Sequence, residues 1–455
     1  MKRFRTFTVL ASIALVAAGC GGRDAAKGVT STTVSSGGTT TTNVPPTASE
    51  IGISPTEIRI AVLADVDNPI LPGLFKGSKD AIVAFGKYVN DNGGIAGRKL
   101  VVDFVDTGLN PEKVKTGMQQ ACARDFAMVG TTLALFQTVD PMVNCNDKAG
   151  AVTGVPDFAA ISVDPSQQGS PVTYSALPPE RDYGVKDQQV FHTRTGQYTY
   201  FHDKLGVTHG FYLNSSDSPS AKDGNTPRFY AAQNIIGIKA DGGTQFVSQF
   251  ATQADYGPFV QTMKTSGSQF AETGGTFQGL IKWRKAAAQQ GLDGVKAWSC
   301  VLTCYDSGIL ASADDVEGTY VTIPFLPFYD PAEQAAVPAL KTYVDAVGVA
   351  NANGFGVEAW TSALLFKKVV EDVVAADGIN GLTRAAVLAK VKTVKEFTAD
   401  GIIGPTDVAN RIPNPCLITL QIRQGKFVRV APTEVGKMDC SPTNLTTVKA
   451  KLWPK

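Results

Sequence analysis

The sequence predicts an α/β protein of two lobes, each a parallel sheet flanked by helices. From Glu57 onward, short apolar runs alternate with segments of helical period. That is the pattern of βαβ units, which build parallel sheets covered by helices. About 400 residues follow a Ser/Thr-rich stretch near the start, more than one hydrophobic core usually holds, so two lobes are expected. The first strand candidate, Ile58-Arg59-Ile60-Ala61-Val62-Leu63, is a nearly continuous apolar run, as a strand buried on both faces requires.

The elements follow in order. Ala81, Ile82, Phe85, Tyr88 and Val89 share one face of a helix over 77–91, which Asn92-Gly93-Gly94 ends, because glycine tolerates the left-handed conformation at a helix C-terminus. Leu100–Val105 is the next strand. Asn110-Pro111 reads as an N-cap with proline at N1, opening a helix through Cys122. Phe126–Gly130 is a third strand. Strands at 210–213, 237–248, 295–299 and 316–324 and helices near 256–265 and 278–290 continue the pattern. Ala359, Ala363, Phe366, Val370 and Val373 line one side of a long helix over 358–376. Ile418–Ile422 and Phe427–Val430, joined through Gln424-Gly425-Lys426, read as a hairpin.

Residues 1–19 read as an export leader, with Lys2, Arg3 and Arg5 ahead of the apolar stretch Phe7–Ala18. That stretch falls short of the ~20 apolar residues of a spanning helix. Ala17-Ala18-Gly19-Cys20 resembles a bacterial lipobox, which implies a diacylglycerol on Cys20. Ordinary cleavage near Ala17–Gly19, with Cys20 incidental, is the alternative. Residues 20–53 are expected to be a disordered tether, since Ser, Thr and Gly bury too little surface to offset chain entropy. No later apolar run reaches spanning length, so the lipid would be the only anchor.

The whole chain carries a formal charge of +1, and losing the three leader cations leaves a slightly acidic mature chain. Neither a nucleic-acid footprint nor a polybasic membrane patch is visible. Besides Cys20, six cysteines remain. They fall into three sequence-local pairs, Cys122–Cys145, Cys300–Cys304 and Cys416–Cys440, although six cysteines formally allow 15 connectivities. In an oxidising compartment three disulfides are expected. The middle pair needs a helical turn or tight loop at Val301-Leu302-Thr303, because residues four apart in a strand lie ~13 Å apart. A zinc site lacks the paired short spacings it would need. No phosphate loop, HExxH, GxGxxG or Gly-x-Ser-x-Gly elbow occurs, so neither enzymatic activity nor a cofactor is expected. His192, His202 and His209 read as helix-surface residues, not metal ligands.

Tyr88-Val89-Asn90-Asp91-Asn92-Gly93-Gly94-Ile95-Ala96-Gly97-Arg98-Lys99-Leu100, followed by Asp106, resembles a signature of the branched-chain amino-acid receptor family of periplasmic binding proteins, fold type I. Met128-Val129-Gly130, Gly154-Val155-Pro156, Val316–Thr322, the helix at 358–374 and Gln424–Val428 fit the same family in order. The resemblance covers most of 54–432 and is weak from about 178 to 310. It implies two α/β lobes joined by three crossovers, near 175–180, 320–325 and 400–405. Lobe one would be 54–177 plus 325–400, lobe two 178–322 plus 405–440, and 441–455 a C-terminal tail.

The implied function is the monomeric extracytoplasmic receptor of an ABC uptake transporter, closing over a small polar ligand and docking on a permease. A sensor built on the same fold is the alternative. Carried over residue by residue, the resemblance places Thr131, Thr132, Ala134 and Ser162 in the lobe-one cleft, and Thr276, Phe277, Tyr305 and Asp306 in the lobe-two cleft. Ala134 stands where the family has a Ser. No acid stands near Cys300, where the family pairs a carboxylate with the ligand ammonium, and Asp306 is the nearest candidate. An aromatic wall with at most one charge is therefore expected, and a ligand without an amine is favoured.

Overall fold

A computed structural model describes residues 44–68, 72–162, 164–217 and 219–452. The leader, Cys20 and the first part of the tether lie outside the described residues. Lobe one is built on five parallel strands: β1 (Glu57–Ala64), β2 (Lys99–Asp106), β3 (Ala127–Val129), β4 (Asp157–Phe158) and β5 (Thr173–Tyr174), in the order β2-β1-β3-β4-β5. Alternation along β2 sends Val102 and Val105 to opposite faces. Val102 packs beneath Gly86 of the helix Lys76–Asp91, and Val105 packs beneath Gly117 of the helix Pro111–Arg124. The sheet is thus covered on both sides. Asn110 caps the second helix by accepting from the N–H groups of Glu112 and Lys113. The long helix Gly354–Asp377 lies against the first, where Trp360 meets Phe85 edge-on at 5.0 Å.

Between Tyr174 and the second sheet lies β6 (Val190–Arg194). Lobe two then adds β7 (His209–Ser215), β8 (Lys239–Val247), β9 (Phe270–Thr273), β10 (Ala297–Cys300), β11 (Tyr320–Ile323), β12 (Ile418–Arg423) and β13 (Lys426–Ala431). The order is β13-β12-β11-β10-β9-β7-β8. Strands β7 to β11 are parallel, and the β12–β13 hairpin closes one edge antiparallel. Gln424 and Gly425 both have positive φ (50° and 68°), the geometry of a type I′ turn, whose twist suits a hairpin.

The chain passes between the sheets three times. Two of the passages run side by side, with Leu326 N–H donating to Ile402 O at 2.9 Å. The third is longer than 400–405. Thr406 N–H bonds Phe397 O and Ala409 N–H bonds Val394 O, so the chain folds back on lobe one before entering β12. All three cysteine pairs are bonded. Leu302–Cys304 is a 3₁₀ turn that brings Cys300 and Cys304 to 6.0 Å between Cα atoms.

Two expectations about the chain ends need correction. Residues 44–53 are not loose tether but a docked segment. Thr47 N–H reaches Asn380 Oδ1 at 2.7 Å and Ser49 Oγ donates to Leu382 O. Buried Glu50 accepts from the N–H groups of Ile51, Lys148 and Arg384. Arg98, the arginine of the Gly-Gly-Ile-x-Gly-Arg motif, is fully buried and bonds Ser54 O and Ile379 O. At the other end, the expected tail carries β14 (Leu445–Lys449), antiparallel to β6 and anchored by buried Val448.

Among the described residues no helix is long and apolar enough to cross a membrane, and no group of three or more His, Cys, Asp or Glu is placed to hold a metal. The histidines are not all on helices: His192 and His209 sit on β6 and β7. Each of the three histidines pairs with an aspartate, respectively Asp182, Asp203 and Asp241 for His192, His202 and His209.

Candidate ligand-binding cleft

A cavity of about 220 Å³ lies where the two lobes meet. Ile161 and Ser162 reach it from beyond β4, Val301 and Leu302 from beyond β10, and Ile323 and Pro324 from the end of β11. These are carboxyl ends of parallel strands, where α/β folds place their ligands. Leu177–Glu180 and Leu417 line it from the crossovers.

Charge dominates the polar part of the wall. Glu180, Arg194, Asp223, Arg228 and Glu358 all line the cavity. Glu358, on the second turn of the helix Gly354–Asp377, is 6% exposed. Burial pushes its carboxyl up to about 8, against the pull of Arg194. Burial likewise holds the Arg194 guanidinium down at about 10, with Glu180 opposing that shift and Arg228 adding to it. Desolvation raises Glu180, with Arg228 and Arg194 pulling the other way. Behind Arg228, Glu272 accepts from the Tyr198 hydroxyl at 2.9 Å and is pushed up to about 7 by burial. Several buried atoms of this wall have no hydrogen-bond partner: Ser162 Oγ, Arg194 Nη2, Gln197 Oε1, Arg228 Nε, Thr322 Oγ1 and Glu358 Oε2. Buried polar atoms are rarely left so, and a cluster of them facing one space is what a ligand completes.

Of the eight residues expected to touch ligand, Ser162 alone lines this cavity. Thr131 and Thr132 are fully buried beneath it. Thr132 spends its hydroxyl on Gly130 O and its N–H on Leu63 O. The Ala134 N–H is already taken by Asp65 at 2.8 Å. Thr276 caps the helix Phe277–Gln289 by accepting from Gly279 N–H, and the Phe277 ring lies over Gly308. Tyr305 is a core residue, packed on Phe325, Phe328, Tyr329 and Phe427, with its hydroxyl accepting from Tyr329 N–H. Asp306 caps the short helix Ser307–Leu310 through Gly308 N–H. Among the described residues the expected aromatic wall is absent from this lining, because Tyr305 is spent on packing against Phe325, Phe328, Tyr329 and Phe427 and half-buried Phe277 lies over Gly308. Sequence reading missed Glu180, Arg194, Asp223, Arg228 and Glu358. The strongest trace of any was a lone acid, Glu358, inside the otherwise apolar Gly-Phe-Gly-Val-Glu-Ala-Trp run.

Residues 57–426 match the family model described as periplasmic binding protein. The chain belongs to that family. No curated protein is similar enough in sequence to match this periplasmic binding protein. Solved structures share its fold at low identity. A leucine-binding protein from Thermotoga maritima is 13% identical, with a TM-score of 0.59 over 82% of this chain and 98% of the other. A Rhodopseudomonas palustris solute-binding protein in complex with 4-hydroxybenzoate is 17% identical, with a TM-score of 0.58 over 82% and 95%. An ABC-transporter substrate-binding protein from Aeropyrum pernix is 14% identical, with a TM-score of 0.60 over 86% and 99%.

Proposed function

We propose that the protein is the extracytoplasmic solute receptor of an ABC uptake transporter, held at the membrane by a lipid on Cys20 and closing over a small polar molecule. The observation that carries this reading is the interlobe cavity, whose wall comes from both lobes and their crossovers and holds unpartnered polar atoms. Hinge closure about such crossovers buries a ligand and changes the surface offered to a partner. The ligands named for the structural neighbours, leucine and 4-hydroxybenzoate, lie in the size class this cavity fits. Ser162 is a contact in this reading. Glu180, Asp223 and Glu358 line the cavity, so a carboxylate is available to a ligand amine there although none stands near Cys300.

A thermal-shift screen over amino acids, amides, ureas and small carboxylates tests this. A true ligand stabilises the protein by RT ln(1 + [L]/Kd), about 2.7 kcal/mol at a hundredfold excess over Kd. A screen without any saturable shift sinks the receptor reading.

A further inference from the structure

The unpartnered atoms of the cavity sort by chemistry. Arg194 and Arg228 both present guanidinium N–H groups, at Nη2 and Nε, that no protein atom takes up. Each is steadied from behind: Arg194 Nε donates to Asn414 O at 2.9 Å, and Arg228 is bonded to Asn225. Two cations thus share a desolvated wall with Glu180, which is close to both, and with Glu358, which feels Arg194; Oε2 of each carboxyl is likewise unpartnered. Like charges taken out of water are costly unless an opposite charge joins them. A carboxylate is the natural complement, because its two oxygens match the planar fork of a guanidinium and form charge-assisted hydrogen bonds.

The remainder of the wall sets the body of the ligand. Ile161, Leu177, Val301, Leu302, Ile323 and Leu417 are aliphatic, and among the described residues the lining contains no aromatic ring. The volume lies below the ~300–1,000 Å³ of sites for drug-sized ligands. Glu358 Oε2, whose carboxyl feels the charge of Arg194, and Ser162 Oγ offer further polar contacts in the same wall.

We propose that the cleft is an anion site in which Arg194 and Arg228 together hold the carboxylate of a small aliphatic acid, with Glu358 and Ser162 free to meet a further polar group of the ligand. This rests on the receptor reading and deepens it. It also places the anion on Arg194 of β6 and Arg228 of the helix Pro219–Ala231, away from the Thr131–Ala134 loop, where the Thr132 hydroxyl and the Ala134 N–H are already occupied.

Titration calorimetry of the purified protein tests it with one carbon skeleton carrying different ends: 4-methylpentanoate, 4-methyl-2-oxopentanoate, leucine and leucinamide, with benzoate, acetamide and urea alongside. The expected result is saturable binding of at least one of the three aliphatic acids. Leucinamide, which lacks the carboxylate, should bind at least tenfold more weakly than the best acid. Arg194→Gln and Arg228→Gln should each weaken that acid ten- to hundredfold, the usual effect of losing a hydrogen bond to a charged group. Leucinamide binding as tightly as the best acid would overturn the proposal without any variant. So would acid affinity unchanged in both arginine variants. Binding of urea or acetamide alone would leave the receptor standing and remove the anion site. Silence from every compound here and in the thermal screen would remove both.

Discussion

Asp125 shows how a single buried carboxyl shapes the behaviour of lobe one. It ends the helix Pro111–Arg124 and is 1% exposed. Burial and the neighbouring charge of Asp103 push it up to about 7, although Arg124 and Arg59 pull the other way. Asp103 itself is drawn down by Arg59. A carboxyl raised in the folded state holds a proton that the unfolded chain has already lost between about pH 4 and 7. Its contribution is therefore fully present below about pH 4 and is lost as pH rises through 7. Asp125→Asn should gain on the wild type as pH increases across that window, read as the difference in urea midpoint at pH 4.5 and pH 8. Parallel stability curves for the two proteins would show that Asp125 does not titrate there. Glu358 and Glu272 shift in the same direction, so only the difference between variant and wild type isolates Asp125.

At the scale of elements, the Cys300–Cys304 turn links a disulfide to the cleft. It presents Val301 and Leu302 to the cavity, and Leu302 also rests on lobe one. A Cβ added at Gly354, the first residue of the helix Gly354–Asp377, would lie 3.2 Å from both Leu302 Cδ1 and Leu302 O. That is tighter than ordinary van der Waals contact, and half of it is backbone held by the disulfide. Gly354→Ala should therefore oppose closure while leaving the helix intact, since alanine is the better helix former. The expected outcome is an unchanged or slightly raised melting temperature without ligand, and a several-fold loss of affinity for the best compound of the thermal screen. Unaltered affinity would mean that this contact does not resist closure.

At the scale of the whole molecule, the segment 44–53 decides where the tether ends and the globular body begins. Composition makes 20–53 look uniform, because Thr, Pro, Ala and Ser continue almost to Glu50. Its docking depends on distant residues: Arg98 after the Gly-Gly turn, which donates to Thr47 O, and Asn380, Leu382 and Arg384 beyond the long helix. Glu50→Ala would strip Lys148 and Arg384 N–H of their acceptor in a buried site. Losing a charged acceptor there should cost about 2–3 kcal/mol. Chemical denaturation measures it, and a loss under about 0.5 kcal/mol would show that the segment contributes little to the fold.

Much of the fold was readable along the chain because helices and strands bury residues at their own short periods. The faces at 77–91 and 358–376, the Asn110 cap and the 418–430 hairpin each announced themselves locally. The two-residue strands β4 and β5 did not, since two residues carry no period. Cysteine proximity in sequence was enough for the disulfides, as each pair sits on one short segment or its immediate return. The cleft was a different matter. Glu180, Arg194, Arg228 and Glu358 are scattered over a crossover, a strand and two helices, and nothing local distinguishes them from surface charges. The rings at Phe277 and Tyr305 are equally silent, since an aromatic suits a core and a ligand wall alike. Periodicity reports burial relative to a residue's own element. Only the passage of the chain between two sheets decides which buried charges face one another across empty space.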